Sequence, residues 1–128
     1  MWSSWRKSAS VAILAFASSI GAQVQAKESA QALEPVALSA LPQEAQTTHR
    51  LILAGGPFPY SKDGTVFGNR ERILPAKARG YYHEYTVAKP KARNRGAKRL
   101  VCGGKPPTKP DVCYYTDDHY SSFKRVVQ

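Results

Sequence analysis

Beyond Gly55-Gly56-Pro57 the chain is cut into short runs of aromatic and β-branched residues by turn-forming clusters at Lys62-Asp63-Gly64, Gly80 and Arg93-Asn94-Arg95-Gly96. That rhythm is the signature of an antiparallel sheet. It predicts strands over Thr65–Phe67, Tyr81–Val87, Ala97–Cys102, Val112–Thr116 and Phe123–Val127, with Val36–Ser39 as a further short edge strand. Ahead of the Gly-Gly-Pro stop, Leu41, Ala45, Thr48, Leu51, Ile52 and Ala54 recur at three- and four-residue spacings, and Pro42 suits a first helical turn. One N-terminal helix packed on one face of a twisted antiparallel sheet of about five strands is an α+β architecture. With no second helix, the opposite sheet face is expected to stand open to solvent.

The length, 128 residues, suits a single domain. Arg6 and Lys7 precede the apolar run Val11–Ala17 and then a series of small residues, the layout of a signal peptide. Cleavage is expected after Ala26, with Ala22 as the other site, so that 1–26 is a signal peptide, 27–35 a flexible leader and 36–128 the folded domain. The apolar run is too short to cross a bilayer as a helix, so no membrane anchor is expected and the product is exported, to the medium or a periplasm. Nineteen Lys and Arg stand against nine Asp and Glu, and only Arg6 and Lys7 leave with the signal peptide, so the exported chain keeps a net charge of +8. A monomer is expected.

Cys102 and Cys113 are the only cysteines. Export favours oxidation and two thiols allow one intramolecular pairing, so a disulfide between them is predicted. Turn formers fill the intervening Gly103–Val112, which places the pair across a long hairpin. A zinc site would need ligands that the neighbourhood lacks, and Asp, Glu and His are too sparse for other metal clusters. No Gly-rich phosphate loop and no Gly-x-Ser-x-Gly turn occurs. No metal or cofactor is expected.

Alternation along Tyr81–Val87 puts Tyr81, His83, Tyr85 and Val87 on one face and Tyr82, Glu84 and Thr86 on the other. The more apolar set should meet the helix, which leaves Glu84 on the open face and makes His83 a packing residue. Of the seventeen basic residues of the exported chain, fifteen lie beyond Gly56. Arg95 and Arg99 are four apart and point the same way if strand geometry persists across Gly96. His119 sits in the polar turn Thr116-Asp117-Asp118-His119-Tyr120. A carboxylate, a protonatable imidazole and two arginines are the parts needed to cleave a phosphodiester without a metal. RNA brings its own nucleophile, the 2′-hydroxyl.

Longer strings sharpen this. Gly56–Tyr60, Asp63–Glu71, Leu74-Pro75, Gly80–Val87, Ala92–Gly96 and Asp118–Tyr120 closely resemble the secreted microbial guanyl-specific ribonucleases, in the short single-helix bacterial branch to which barnase is a more distant relative. The resemblance runs from about Val36 to the C-terminus. It implies that Glu84 is a general base, His119 a general acid, and Arg95 and Arg99 ligands of the scissile phosphate. It implies further that Phe67, Gly68, Asn69, Arg70 and Glu71 form a guanine-reading loop and that Tyr120 holds substrate beside the phosphate. The expected substrate is single-stranded RNA, cut after G through a 2′,3′-cyclic phosphate to a 3′-phosphate end, and a small acidic inhibitor of the barstar kind is an implied partner.

Chemistry supports the base assignment. Guanine presents N1–H and the N2 amino group side by side, and a carboxylate accepts both. Two departures stand out: Ala37 replaces a cysteine common in that branch, and Gly68 replaces a larger polar residue. Neither touches Glu84, Arg95, Arg99 or His119. The rival reading is an exported cationic domain that holds nucleic acid without cutting it.

Overall fold

The computed structural model describes residues 33–128, together with Ala12, Ile13 and Ala15. The signal peptide read over 1–26 lies, apart from those three positions, outside the described residues, as does 27–32. Among the described residues no helix is long and apolar enough to cross a membrane.

Helix α1 spans Gln43–Ala54. The Pro42 carbonyl accepts from the amides of Ala45 and Gln46 at 2.9 and 3.2 Å, and Glu44 lies in the first turn, where the helix end carries partial positive charge. The helix stops at Gly55, whose φ of 82° is left-handed and cheap only for glycine. Gly55 N–H donates to Ile52 O at 3.2 Å and Gly56 N–H to Leu51 O at 2.9 Å, the paired bonds of a Schellman ending. The buried face is Ala45, Thr48, His49 and Ile52. This stripe is narrower than the one read from the sequence: Leu51 is half-buried and Ala54 exposed. His49 is buried although an apolar count passes over it.

The sheet has six strands, β1 Pro35–Ala37, β2 Thr65–Val66, β3 Tyr82–Thr86, β4 Arg99–Gly103, β5 Val112–Thr116 and β6 Lys124–Val127, in the order β1-β6-β5-β4-β3-β2. The pairs from β2 to β6 are antiparallel; β1 joins β6 in parallel, so the sheet is mixed. Leu33 to Pro35, read as the end of a flexible leader, belong to the fold. Pro35 lies in β1, Glu34 O accepts from Arg125 N–H at 2.9 Å, and Leu33 packs on a buried cluster. That short segment has no periodicity of its own; β6 recruits it as a neighbour.

Register sorts the side chains onto two faces. Tyr85, Leu100, Cys102, Cys113 and Tyr115 meet Leu41, Ala45 and Ile52 of the helix side in one buried cluster. His83 is paired with Cys102 and shares that face. Cys102 and Cys113 lie directly opposite each other and form a disulfide.

The other face is not simply open. Leu74, Tyr82, Val101, Tyr114 and Phe123 bury a second cluster there, with Phe67, Ile73, Tyr81 and Tyr120 packed around it. The aperiodic segment between β2 and β3 folds back over the sheet and drives Leu74 fully inside. Tyr81, expected on the helix face, precedes β3, packs with this second cluster and donates its hydroxyl to Asp111 Oδ2 at 3.0 Å. Gly103 is the reason it fits, because a Cβ there would collide with the Tyr81 ring. Phe67, Ile73, Tyr120 and Phe123 of this second cluster also line a cleft on the same face.

Candidate active site

Two adjacent cross-strand rows build the floor of the site. One runs Thr65, Glu84, Val101, Tyr114, Arg125, and the next runs Thr86, Arg99, Thr116. Because alternate residues share a face, Glu84 and the Thr86 row lie together while His83 faces away. The Glu84 side chain is 16% exposed; its Oε2 accepts from the Tyr120 hydroxyl at 3.0 Å, and its Oε1 lies 3.6 Å from Arg95 Nη2. That last distance is an ion pair, not a hydrogen bond.

Arg95 and Arg99 converge, but not by continued strand geometry. β4 begins only at Arg99, and Gly96 turns the chain with φ 63°. Arg95 therefore sits on the connecting loop. Arg99, 2% exposed, shapes that loop: its Nη1 faces the carbonyls of Arg95, Gly96 and Lys98 at 3.3, 2.9 and 2.7 Å. Arg95 Nε donates to Thr86 Oγ1 at 2.9 Å. Among the described residues, Arg95 Nη2 and Arg99 Nε are buried side-chain donors with no hydrogen-bond partner. A buried guanidinium donor is costly to leave unpaired. Two of them beside a carboxylate form a place where an anion with several acceptor oxygens is welcome.

The turn after β5 delivers His119 and Tyr120. Thr116 Oγ1 donates to Asp118 Oδ1 at 2.8 Å and accepts from Tyr120 N–H at 3.2 Å. Asp118 closes the other side, accepting from the Ser122 amide and hydroxyl at 2.9 and 2.6 Å. The Ser122 hydroxyl, the Ser122 amide and the Thr116 hydroxyl hold the Asp118 carboxyl down at about 2. His119 and Tyr120 both take positive φ, 54° and 73°, conformations that this network over-determines. The His119 amide donates to Ala97 O at 3.1 Å, which ties the turn to the arginine loop. The imidazole itself is exposed. Tyr120 is shifted upward, first by burial and then by Glu84, with Arg99 opposing.

Phe67, Gly68, Asn69, Arg70 and Glu71 share one cleft of about 740 Å³ with His119 and Tyr120. The Phe67 and Tyr120 rings lie 5.0 Å apart and tilted by 31°. Phe67 N–H donates to Tyr82 O at 2.9 Å and anchors the loop's start. The Asn69 side chain is occupied within the loop: Nδ2 donates to Leu74 O at 2.9 Å and Oδ1 accepts from Leu74 N–H at 3.2 Å. Asn69 thus shapes the loop, with φ 51°. Glu71 is exposed on the cleft wall.

Glu84, Arg95, Arg99, His119, Tyr120 and the Phe67–Glu71 loop lie on this one side of the sheet, whereas the Cys102–Cys113 pair lies on the helix side. Three supporting residues were not singled out: Thr86, Thr116 and Asp118. Thr86 shares its parity with Glu84, a signal already present in the strand, whereas Thr116 and Asp118 are recognisable only from the turn they close.

A family described as ribonuclease matches residues 23–127. The chain is 55% identical over 93 residues to guanyl-specific ribonuclease Sa of Kitasatospora aureofaciens, which spans 73% of this chain and 93% of that one. It is 52% identical over 94 residues to guanyl-specific ribonuclease St of Saccharopolyspora erythraea, over 73% and 88% of the two chains. Among solved structures it is similar to ribonuclease Sa2 with guanosine-2′-cyclophosphate, at a TM-score of 0.67 and 45% identity over 75% of this chain and 97% of that one.

Proposed function

The chain belongs to the microbial guanyl-specific ribonucleases and is a guanyl-specific endoribonuclease, and we propose that Glu84 is its general base, His119 its general acid and Arg95 with Arg99 its phosphate ligands. The observation that carries this assignment is the pair of buried, partnerless donors Arg95 Nη2 and Arg99 Nε on the sheet face of Glu84.

With an RNA phosphate there, the 2′-hydroxyl of guanosine gives its proton to Glu84 as its oxygen attacks phosphorus. The bond from phosphorus to the 5′-oxygen breaks, and His119 protonates the leaving oxygen. The arginines hold the charge that builds on the equatorial oxygens. A 2′,3′-cyclic phosphate results. Water then opens it with the two roles exchanged, leaving a 3′-phosphate. Glu71 accepts from N1–H and the N2 amino group of guanine while loop amides face O6. Reading that edge requires an unpaired base, so single-stranded RNA is the substrate.

The same reading makes residues 1–26 a signal peptide and the enzyme an exported monomer without a membrane anchor. Residues 33–128 carry sixteen Lys and Arg and eight Asp and Glu, a net +8 that a small acidic protein inhibitor of the barstar kind would complement.

Cleavage of a guanosine dinucleotide in excess EDTA tests the mechanism. Activity should persist with EDTA and vanish with a 2′-deoxyguanosine substrate. His119→Ala should lower kcat by about 10² to 10⁴-fold, whereas His83→Gln, on the other sheet face, should stay active. An inactive, folded His83→Gln beside an active His119→Ala would reverse the assignment.

A further inference from the structure

Arg95 is held at one edge only. Its Nε donates to Thr86 Oγ1 at 2.9 Å, its Nη2 has no hydrogen-bond partner, and the nearest anion, Glu84 Oε1, stands off at 3.6 Å. A guanidinium is planar, so fixing the direction of Nε–H fixes where the outer nitrogens can point. Unrestrained, an arginine on a turn beside a carboxylate would close to a two-bond pair, occupying the donors and the carboxylate together.

Thr86 is built to prevent that. It is 3% exposed, and its backbone is pinned on both sides: Asp63 Oδ1 accepts from its N–H at 2.7 Å, and the Thr48 hydroxyl lies 3.1 Å from its carbonyl oxygen. Its branched Cβ restricts χ1, so the hydroxyl direction is set with little entropy left to lose. It sits two residues along β3 from Glu84, on the same face, in register with Arg99.

We propose that Thr86 is a positioning residue for the cleavage reaction: its hydroxyl anchors Arg95 by Nε, holding the outer guanidinium edge toward the phosphate and off Glu84. This rests on the phosphate role of Arg95 given above. Thr86 touches no substrate and acts only through Arg95.

The test is a cycle of Thr86→Val, Thr86→Ser, Arg95→Ala and the double variant Thr86→Val/Arg95→Ala, with turnover of a guanosine dinucleotide, guanosine binding and thermal melts measured for each. Thr86→Val should lose about tenfold to a hundredfold in kcat, the scale of a misplaced catalytic group, with guanosine binding unchanged because the base loop is untouched. Thr86→Ser should stay within about threefold of the parent, since the acceptor is retained. In the Arg95→Ala background, Thr86→Val should have no further effect on kcat. Equal kcat losses from Thr86→Val with and without Arg95 would overturn the proposal, as would a Thr86→Val enzyme at parental kcat while Arg95→Ala is crippled. Full activity in Arg95→Ala would instead overturn the phosphate role on which the proposal rests. If Thr86→Val does not fold, Thr86→Ala takes its place in the same cycle.

Discussion

Glu84 and Glu71 are both carboxylates on the same side of the sheet, and their surroundings differ in the way the tasks proposed for them require. Glu84 is largely enclosed and contacts Tyr120 and Arg95, so it lies beside a guanidinium donor. Glu71 is exposed on the wall of the cleft, at the end of a loop whose shape Asn69 maintains through Leu74. Removing Glu71 should therefore alter base choice more than folding. Glu71→Ala is expected to lose about 2 to 4 kcal/mol in kcat/KM for guanosine substrates, the worth of a two-bond charged contact, while its melting temperature stays near that of the parent. Parallel kinetics on guanosine and adenosine dinucleotides check this; undiminished G-over-A selectivity would relocate the base site.

At the scale of elements, helix and sheet are joined through a core with a titratable member. Burial holds the His49 imidazole below its ordinary 6.5, and half-buried His83 is shifted the same way by the same cause. The unfolded chain then binds protons more readily than the folded one as pH falls below 6.5, so these groups withdraw stability on the acid side. Melting temperature should drop between about pH 7 and pH 5, and His49→Leu should flatten that slope. The β4–β5 hairpin offers a separate test. Its disulfide joins residues 11 apart and lies on the helix face, away from the Glu84 row. The double variant Cys102→Ala/Cys113→Ala should lose about 2 to 3 kcal/mol from loop closure, with more from thinned packing, yet keep its kcat at temperatures where it is folded. Urea denaturation and dinucleotide turnover measure the two effects separately.

For the whole molecule, the relevant quantity is the net +8 carried by residues 33–128. A long RNA engages more of that charge than a dinucleotide does, and phosphate neutralisation makes affinity fall with added salt. KM for polymeric RNA should rise steeply between about 50 and 200 mM salt, and KM for the dinucleotide much less. Equal salt slopes for both substrates would mean that the charge outside the Glu84 and Arg99 rows takes no part in holding RNA.

Alternation in Tyr82–Thr86 was enough to separate Glu84 from His83, because a period of two leaves no other arrangement once a strand forms. The helix ending at Gly55 was likewise legible from its neighbours, the hairpin disulfide from there being one cysteine pair to close, and the strings around Glu84, Arg95 and His119 from their family resemblance. The second core was not: Leu74 lies in a segment without periodicity, and only its folding back over Tyr82 and Tyr114 buries it. Nor was the parallel pairing of Pro35–Ala37 with β6, which joins opposite ends of the domain. The meeting of Arg95 with Thr86, and of His119 with the Ala97 carbonyl, also required the tertiary fold. Sequence sets the conformations available to a strand or turn; which distant side chains then share a low-dielectric space is decided by packing, and the proximity of the arginine donors to the Glu84 carboxylate is what supports the roles proposed for them.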